Sequence, residues 1–153
     1  MGKFNPHRIN VYQELDHALS GMEFASPAYF DGEIYYGAVN DHIRAFKFSN
    51  GKLEPKPVSM TTNTFGYPGT TPSIWANGTK DAILWAAQHG PTAVLYAYDA
   101  NNLAHMLYNS NMAPGGRDHF GTGNTFTTPT IANGKVYVGT TDGIGVLGLL
   151  KGH

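Results

Sequence analysis

One pattern occurs three times in this chain and constrains its fold more than any other feature. Each copy begins with Ser-Pro or Thr-Pro, runs through a short apolar stretch, and turns at Asp-Gly or Asn-Gly into a second apolar stretch. The repeat prolines Pro27, Pro72 and Pro129 are 45 and 57 residues apart. Self-similarity at such a period predicts one supersecondary unit per copy, with each unit stacked on its neighbours.

Each copy predicts an antiparallel sheet of short strands. The Asp-Gly and Asn-Gly dipeptides tolerate the positive φ of a tight hairpin, and the apolar runs are rich in Ile, Val, Tyr and Trp, which favour strands. Fourth strands are expected at 53–58 and 103–108. We therefore predict an all-β protein with four-stranded units at 24–60 and 65–110, and a unit at 124–150 that lacks its outer strand.

Three such units suggest a partial β-propeller with an open end. Propellers have about four to eight blades, so three would leave apolar flanks and a free sheet edge that invite association. Residues 10–15 read as a spare strand. We expect two copies to form a homodimer with a six-bladed ring, in which residues 10–15 complete the last blade of the other copy. The competing interpretation is a C-terminal fragment of a larger propeller.

Composition excludes several classes of function. The net charge is −1, so nothing suggests a basic surface for nucleic acid or for a membrane. There is no Cys, which excludes disulfides and thiolate metal sites. No apolar run approaches the roughly 18 residues of a membrane helix. The first residues lack the apolar stretch of a signal peptide, and the compartment stays unassigned.

The repeat resembles that of the pyrroloquinoline-quinone-repeat, or quinoprotein-like, β-propellers. Residues 26–37 and 128–139 carry the best matches, and Ala93–Ala100 resembles the third strand of that family, which often ends in Ala-x-Asp-Ala. The resemblance covers most of residues 24–150. It implies a propeller fold and suggests a periplasmic or secreted parent protein.

The resemblance does not extend to the quinone dehydrogenases of that family. Those enzymes have a vicinal Cys pair, a Trp under the quinone, and a calcium ion held by Glu and Asn. This chain has no Cys, and Trp75 and Trp85 lie where core aromatics are expected. We therefore carry over the fold and not the dehydrogenase activity. The cofactor is left unknown, and no metal site is assigned.

The candidate ligand site lies on the face where the loops between second and third strands meet the connections between units. Such loops carry function in rigid scaffolds. His42 and His89 fall there, and His with Asp could bind a metal ion or act as acid and base. The plainer interpretation is that tight turns simply need polar residues.

The Gly-rich segment 113–124 adds Arg117, Asp118 and His119 to that face. Arg117 could hold a carboxylate or phosphate through its planar fork, and Asp118 and His119 are the candidate catalytic residues. Alternatively, Arg117 and Asp118 pair across blades and only hold the loop in place.

Three hypotheses for the function follow. The first is a non-enzymatic binding or scaffold module with its ligand on the loop-rich face. The second is an enzyme, a hydrolase or a metal-assisted catalyst, that uses the His/Asp/Arg cluster. The third is a remnant of a quinoprotein oxidoreductase. No nucleophile elbow, phosphate loop or zinc motif favours a particular reaction.

Overall fold

Three antiparallel β-sheets make up the part of the chain that a computed structural model describes, namely Pro6 and residues 11–149. Within those residues the helical structure is a single 3-10 turn at Pro114–Gly116. No helix there has the length and apolar character needed to cross a bilayer. The prediction of an all-β protein is confirmed.

The first sheet contains five short strands. They are β1 (Ala28–Phe30), β2 (Glu33–Tyr36), β3 (Arg44–Ser49), β4 (Lys52–Leu53) and β5 (Ser59–Met60). β4 pairs with the end of β3, and β5 pairs with its start. A continuous strand at 53–58 was predicted, and this was wrong. Pro55 and Pro57 lack the N–H group that a paired strand residue donates, so the strand is interrupted between them.

The second and third sheets follow along the chain. The second has the order β6 (Ser73–Asn77), β7 (Lys80–Gln88), β8 (Val94–Asp99) and β9 (Asn102–Asn109). The third has the order β10 (Thr130–Ala132), β11 (Lys135–Gly139) and β12 (Ile144–Gly148). In the described residues, no strand pairs with the outer edge of β12.

Two of the three repeat dipeptides form the predicted type I′ turns; at Asn77-Gly78 only Gly78 has positive φ, of 64°, and Asn77 pairs with Lys80 as the last residue of β6. Asp31 and Gly32 have φ of 42° and 84° between β1 and β2, and Asn133 and Gly134 have φ of 50° and 68° between β10 and β11. Positive φ at both central residues is the geometry of a type I′ turn, whose twist matches that of the flanking strands. These turns set the same register in both hairpins, since Ala28 pairs with Tyr35 as Thr130 pairs with Tyr137.

The sheets are stacked in chain order. Tyr35 and Ala45 of the first sheet share one buried cluster with Leu84 and Tyr98 of the second. Leu95 on the other face of the second sheet shares a separate buried cluster with the third. The first strands lie side by side, β1 next to β6 and β6 next to β10. The Ser73 hydroxyl joins the last two segments by donating to the Pro129 carbonyl oxygen at 2.6 Å.

The segment 11–20 lies on the first sheet. The Gln13 side-chain amide donates to the Leu53 carbonyl oxygen at 2.7 Å and accepts from the Leu53 N–H at 2.8 Å, so it imitates a strand residue beside β4. Residues 11–15 themselves form no strand. The exchange of this segment between two copies stays a prediction. Asn10 and Leu150, at the ends of the predicted 10–15 strand and 124–150 unit, lie outside the described residues.

Candidate functional site

A small cavity lies where the chain approaches the first strand of each sheet. Ala25, Thr70 and Thr127 all line it. These residues hold the same place in the three repeats, two positions before the repeat proline. Its volume is about 10 Å³, which is room for about one water molecule. We call it the axial cavity, because the three first strands begin around it.

The walls of the axial cavity are polar and closely packed. The Thr70 hydroxyl donates to the Ala87 carbonyl oxygen at 2.9 Å, and the Thr127 hydroxyl donates to the backbone carbonyl oxygen of Asn124 at 3.3 Å. Gly69 has φ of 86°, and a Cβ there would collide with the backbone of the first sheet. Only glycine fits this close approach. The remaining lining residues are neutral or are histidine: Ala25, Pro68, Thr71, His89 and Phe126.

Three exposed aromatic residues belong to the segments that form the axial cavity: Phe126 lines it, and Phe24 and Tyr67 directly precede the lining residues Ala25 and Pro68. Phe24, Tyr67 and Phe126 are 48%, 58% and 61% exposed. The Phe24 and Tyr67 rings meet edge to face with their centroids 5.9 Å apart. Phe126 has a φ of 59°, which is costly for a bulky residue and typical of functional positions. We call these three residues the aromatic rim.

Sequence reasoning missed the aromatic rim. It considered Trp75 and Trp85 of the strands, where core aromatics are expected, and named no aromatic residue before the repeat prolines. The sequence did contain a signal for these residues, because an aromatic residue lies three to five positions before each repeat proline. The approach segments bring the Phe24 and Tyr67 rings into contact and place Phe126 at the axial cavity.

The structure separates the predicted ligand residues. His89 is exposed and lines the axial cavity. His42 lies in the connection between β2 and β3, where its Nδ1 is 3.2 Å from the carbonyl oxygen of Asn63. Within residues 6 and 11–149, no three His, Asp or Glu side chains lie close enough together to hold a metal ion. The predicted His/Asp grouping is therefore not a metal cage in the described part of the chain.

Arg117 and Asp118 pair with each other at the outer edge of the second sheet. Arg117 Nε donates to Asp118 Oδ1 at 2.9 Å, and the Tyr108 hydroxyl donates to Asp118 Oδ2 at 2.7 Å. The guanidinium and then the phenol hold the pKa of Asp118 below its usual range. Burial and the carboxylate raise the pKa of Tyr108. Both carboxylate oxygens are thus engaged, Oδ1 with Arg117 in the same loop and Oδ2 with Tyr108, which anchors the loop to β9.

This anchor is remote from the axial cavity. Tyr108 stands in one row across the sheet with Ala97, Trp85 and Ser73. Three strand spacings separate the ends of that row, or about 14 Å. His119 is exposed, and its ring lies beside Gly116 in the same loop. Arg117 and Asp118 therefore form a structural ion pair away from the cavity, whereas Asn124 at the end of the same segment lines it.

The residues that line the axial cavity do not fit the quinone and the calcium ion of the quinone dehydrogenases that the repeat resembles. A tricarboxylate cofactor needs cations, and the described residues lining the axial cavity include no Lys or Arg. Calcium prefers several carboxylate or carbonyl oxygens, and those residues include no Asp or Glu either.

Comparison of the chain with protein-family models, with curated proteins and with solved structures finds no match.

Proposed function

We propose that this chain is a quinoprotein-like β-propeller module that acts as a binding domain, with its ligand on the surface over the mouth of the axial cavity, beside His89 and Phe126. The three sheets correspond to three blades. In support of this, they follow one another in chain order, their first strands lie side by side, and each sheet packs on the next. This is the arrangement of radially repeated sheets.

We also propose that two copies of the chain form a homodimer and thereby complete a six-bladed ring. Its support is the exposed apolar surface at the end of the stack, where Ile144 is 73% and Val146 is 53% exposed on an edge strand. Unpaired edges and apolar patches favour association. Light scattering on a sizing column should give about twice 16.5 kDa. A monomer at all concentrations would contradict the ring.

One observation carries the binding role: equivalent positions of all three repeats line the same cavity. A site on the axis of a repeat architecture is held by several strands at once, which keeps its geometry rigid. The ligand type follows from the lining, which offers hydroxyls, an amide, an imidazole and the aromatic rim but no formal charge apart from histidine. We therefore propose an uncharged, hydroxyl- or amide-bearing small molecule with one flat face.

We expect alanine at His89 or Phe126 to abolish ligand binding without unfolding the protein. Both side chains are exposed, so their loss should change stability by no more than about 0.5 kcal/mol. The measurement is the shift of the melting temperature with a panel of neutral sugars and amides. His105→Ala is the matched control, because this exposed histidine lies on β9. A shift that survives both site variants would place the ligand elsewhere.

We also expect pyrroloquinoline quinone with calcium to leave the melting temperature and the quinone absorbance unchanged. The physical reason is the absence of cations and carboxylates among the described residues that line the axial cavity. Titration of the protein with quinone, with and without calcium, provides the measurement. A saturable spectral change that disappears in His89→Ala would support the oxidoreductase alternative instead.

A further inference from the structure

The chain contains one kind of sheet-to-sheet joint twice. In each sheet a large aromatic residue follows the hairpin at the same register position, opposite the residue just after the repeat proline: Tyr35, Trp85 and Tyr137. Tyr35 packs toward Leu84 of the second sheet. Trp85 packs toward Val136 and Val138 of the third. Each joint thus places this aromatic residue against the second strand of the following sheet.

Among residues 11–149, no sheet follows the third copy of that aromatic residue. Tyr137 pairs with Val146 across β11 and β12, on the face opposite the buried Val136 and Val138. Val146 and Ile144 on this face are more than half exposed. We call Tyr137, Ile144 and Val146 the donor face, because it has the register and apolar character of a joint but lacks its second half.

The first sheet offers the missing half. Its Ile34 and Tyr36 hold the register positions that Leu84 and Ala86 hold in the second sheet. On this side an open groove of about 400 Å³ runs between the sheet and the segment 13–19. Tyr36, Phe46 and Leu53 form its floor, and Leu15 and Leu19 form its opposite wall. Such a groove is large enough to accept an aromatic side chain.

We propose that the donor face of one copy docks into this groove of a second copy. The inference rests on the proposed ring and assigns its contacts: Tyr137 of one copy lies against Tyr36 of the other, and the reverse contact closes a two-fold ring. A second copy is the occupant because both halves of a joint already formed twice within the chain are free on the same molecule. In this arrangement residues 13–19 line the joint on their own chain, so the docking takes the place of the exchange of residues 10–15 between copies.

The absence of native cysteine permits a clean cross-linking test. Tyr137→Cys and Tyr36→Cys are prepared separately, mixed, and treated with a bismaleimide that spans about 10 Å, the distance between packed sheets. We expect a covalent dimer in the mixture and none with either variant alone. A variant that carries both cysteines should not be linked within one chain either. Positions 36 and 137 are separated by two sheet spacings, or about 20 Å, which the reagent cannot span.

A second variant measures the energetic role of the donor face. Val146→Asp should raise the dimer dissociation constant about 100-fold, because docking would bury an unpaired charge. Its exposure predicts an unchanged melting temperature for the monomer. The matched control is Leu107→Asp, an apolar residue 42% exposed on β9, which should leave the dissociation constant unchanged.

The outcomes separate this proposal from the ring itself. A cross-link with Tyr137→Cys alone would mean that two third sheets meet, which overturns the assignment. A dimer that persists in Val146→Asp overturns the assignment but leaves the ring possible. A wild-type protein that stays monomeric overturns both, and leaves the axial binding site to be judged by its own variants.

Discussion

Replacing Phe65 by alanine is expected to lower the free energy of unfolding by about 4 kcal/mol, the typical cost of removing a fully buried phenylalanine ring. The side chain is inaccessible to solvent and packs between the first two sheets in the cluster with Tyr35 and Leu84. Its ring meets Tyr96 edge to face at 5.5 Å. Urea denaturation followed by circular dichroism measures the change.

The matched control is Phe126→Ala, which removes the same side chain from an exposed position. We expect this variant to stay within about 0.5 kcal/mol of the wild type. Equal losses in both variants would mean that Phe65 does not hold the first two sheets together. The pair also shows whether loss of binding in Phe126→Ala reflects the site rather than the fold.

Replacing Asp41 by alanine is expected to cost about 3 kcal/mol, because removal of one partner leaves a largely buried charge and two backbone donors unsatisfied. The Asp41 side chain is 2% exposed and pairs with Arg44 at 2.8 Å. It also accepts from the N–H groups of Ser20 and His42 at 2.9 and 2.8 Å. Asp142→Ala, at an exposed turn, is the control and should change stability little.

The contribution of Asp41 should also depend on pH. Burial pushes the pKa of Asp41 upward, but the hydrogen bonds from Arg44, Ser20 and His42 outweigh it, and the folded pKa lies below its usual range. A lowered folded pKa stabilises the protein above the unfolded pKa, and this stabilisation is lost as the pH falls through the folded value.

The stability gap between wild type and Asp41→Asn should therefore narrow as the pH falls from 7 to below about 4, the unfolded pKa of Asp. Thermal melts of both proteins over that range measure the gap. A gap that is independent of pH would show that the hydrogen bonds of Asp41 do not depend on its charge.

Much of the sheet architecture could be predicted because its determinants are local. Asp31-Gly32 and Asn133-Gly134 adopt the positive φ that their residue types favour, and the apolar runs beside them pair as antiparallel strands. The error in the first sheet was also local in origin. Pro55 and Pro57 cannot donate the N–H hydrogen bonds of a paired strand, so the sequence itself opposes a continuous strand at 53–58.

The candidate site was less accessible to sequence reasoning. His89 was assigned to a loop that does reach the axial cavity. Arg117 and Asp118 were grouped with it because they follow the same sheet, but their partner is Tyr108 on the outer strand. A hydrogen bond from a strand residue ten positions earlier in the chain leaves no pattern in composition or spacing.

The chain's repeats, turns and strand alternation were thus sufficient to establish an all-β protein of three antiparallel sheets, because hairpins depend on neighbouring residues. The axial cavity, the aromatic rim and the groove of the first sheet required the folded structure. Each is formed by segments tens of residues apart, such as Gln13 beside Leu53. Their positions depend on how the sheets pack, and packing depends on side-chain shapes that no local pattern records.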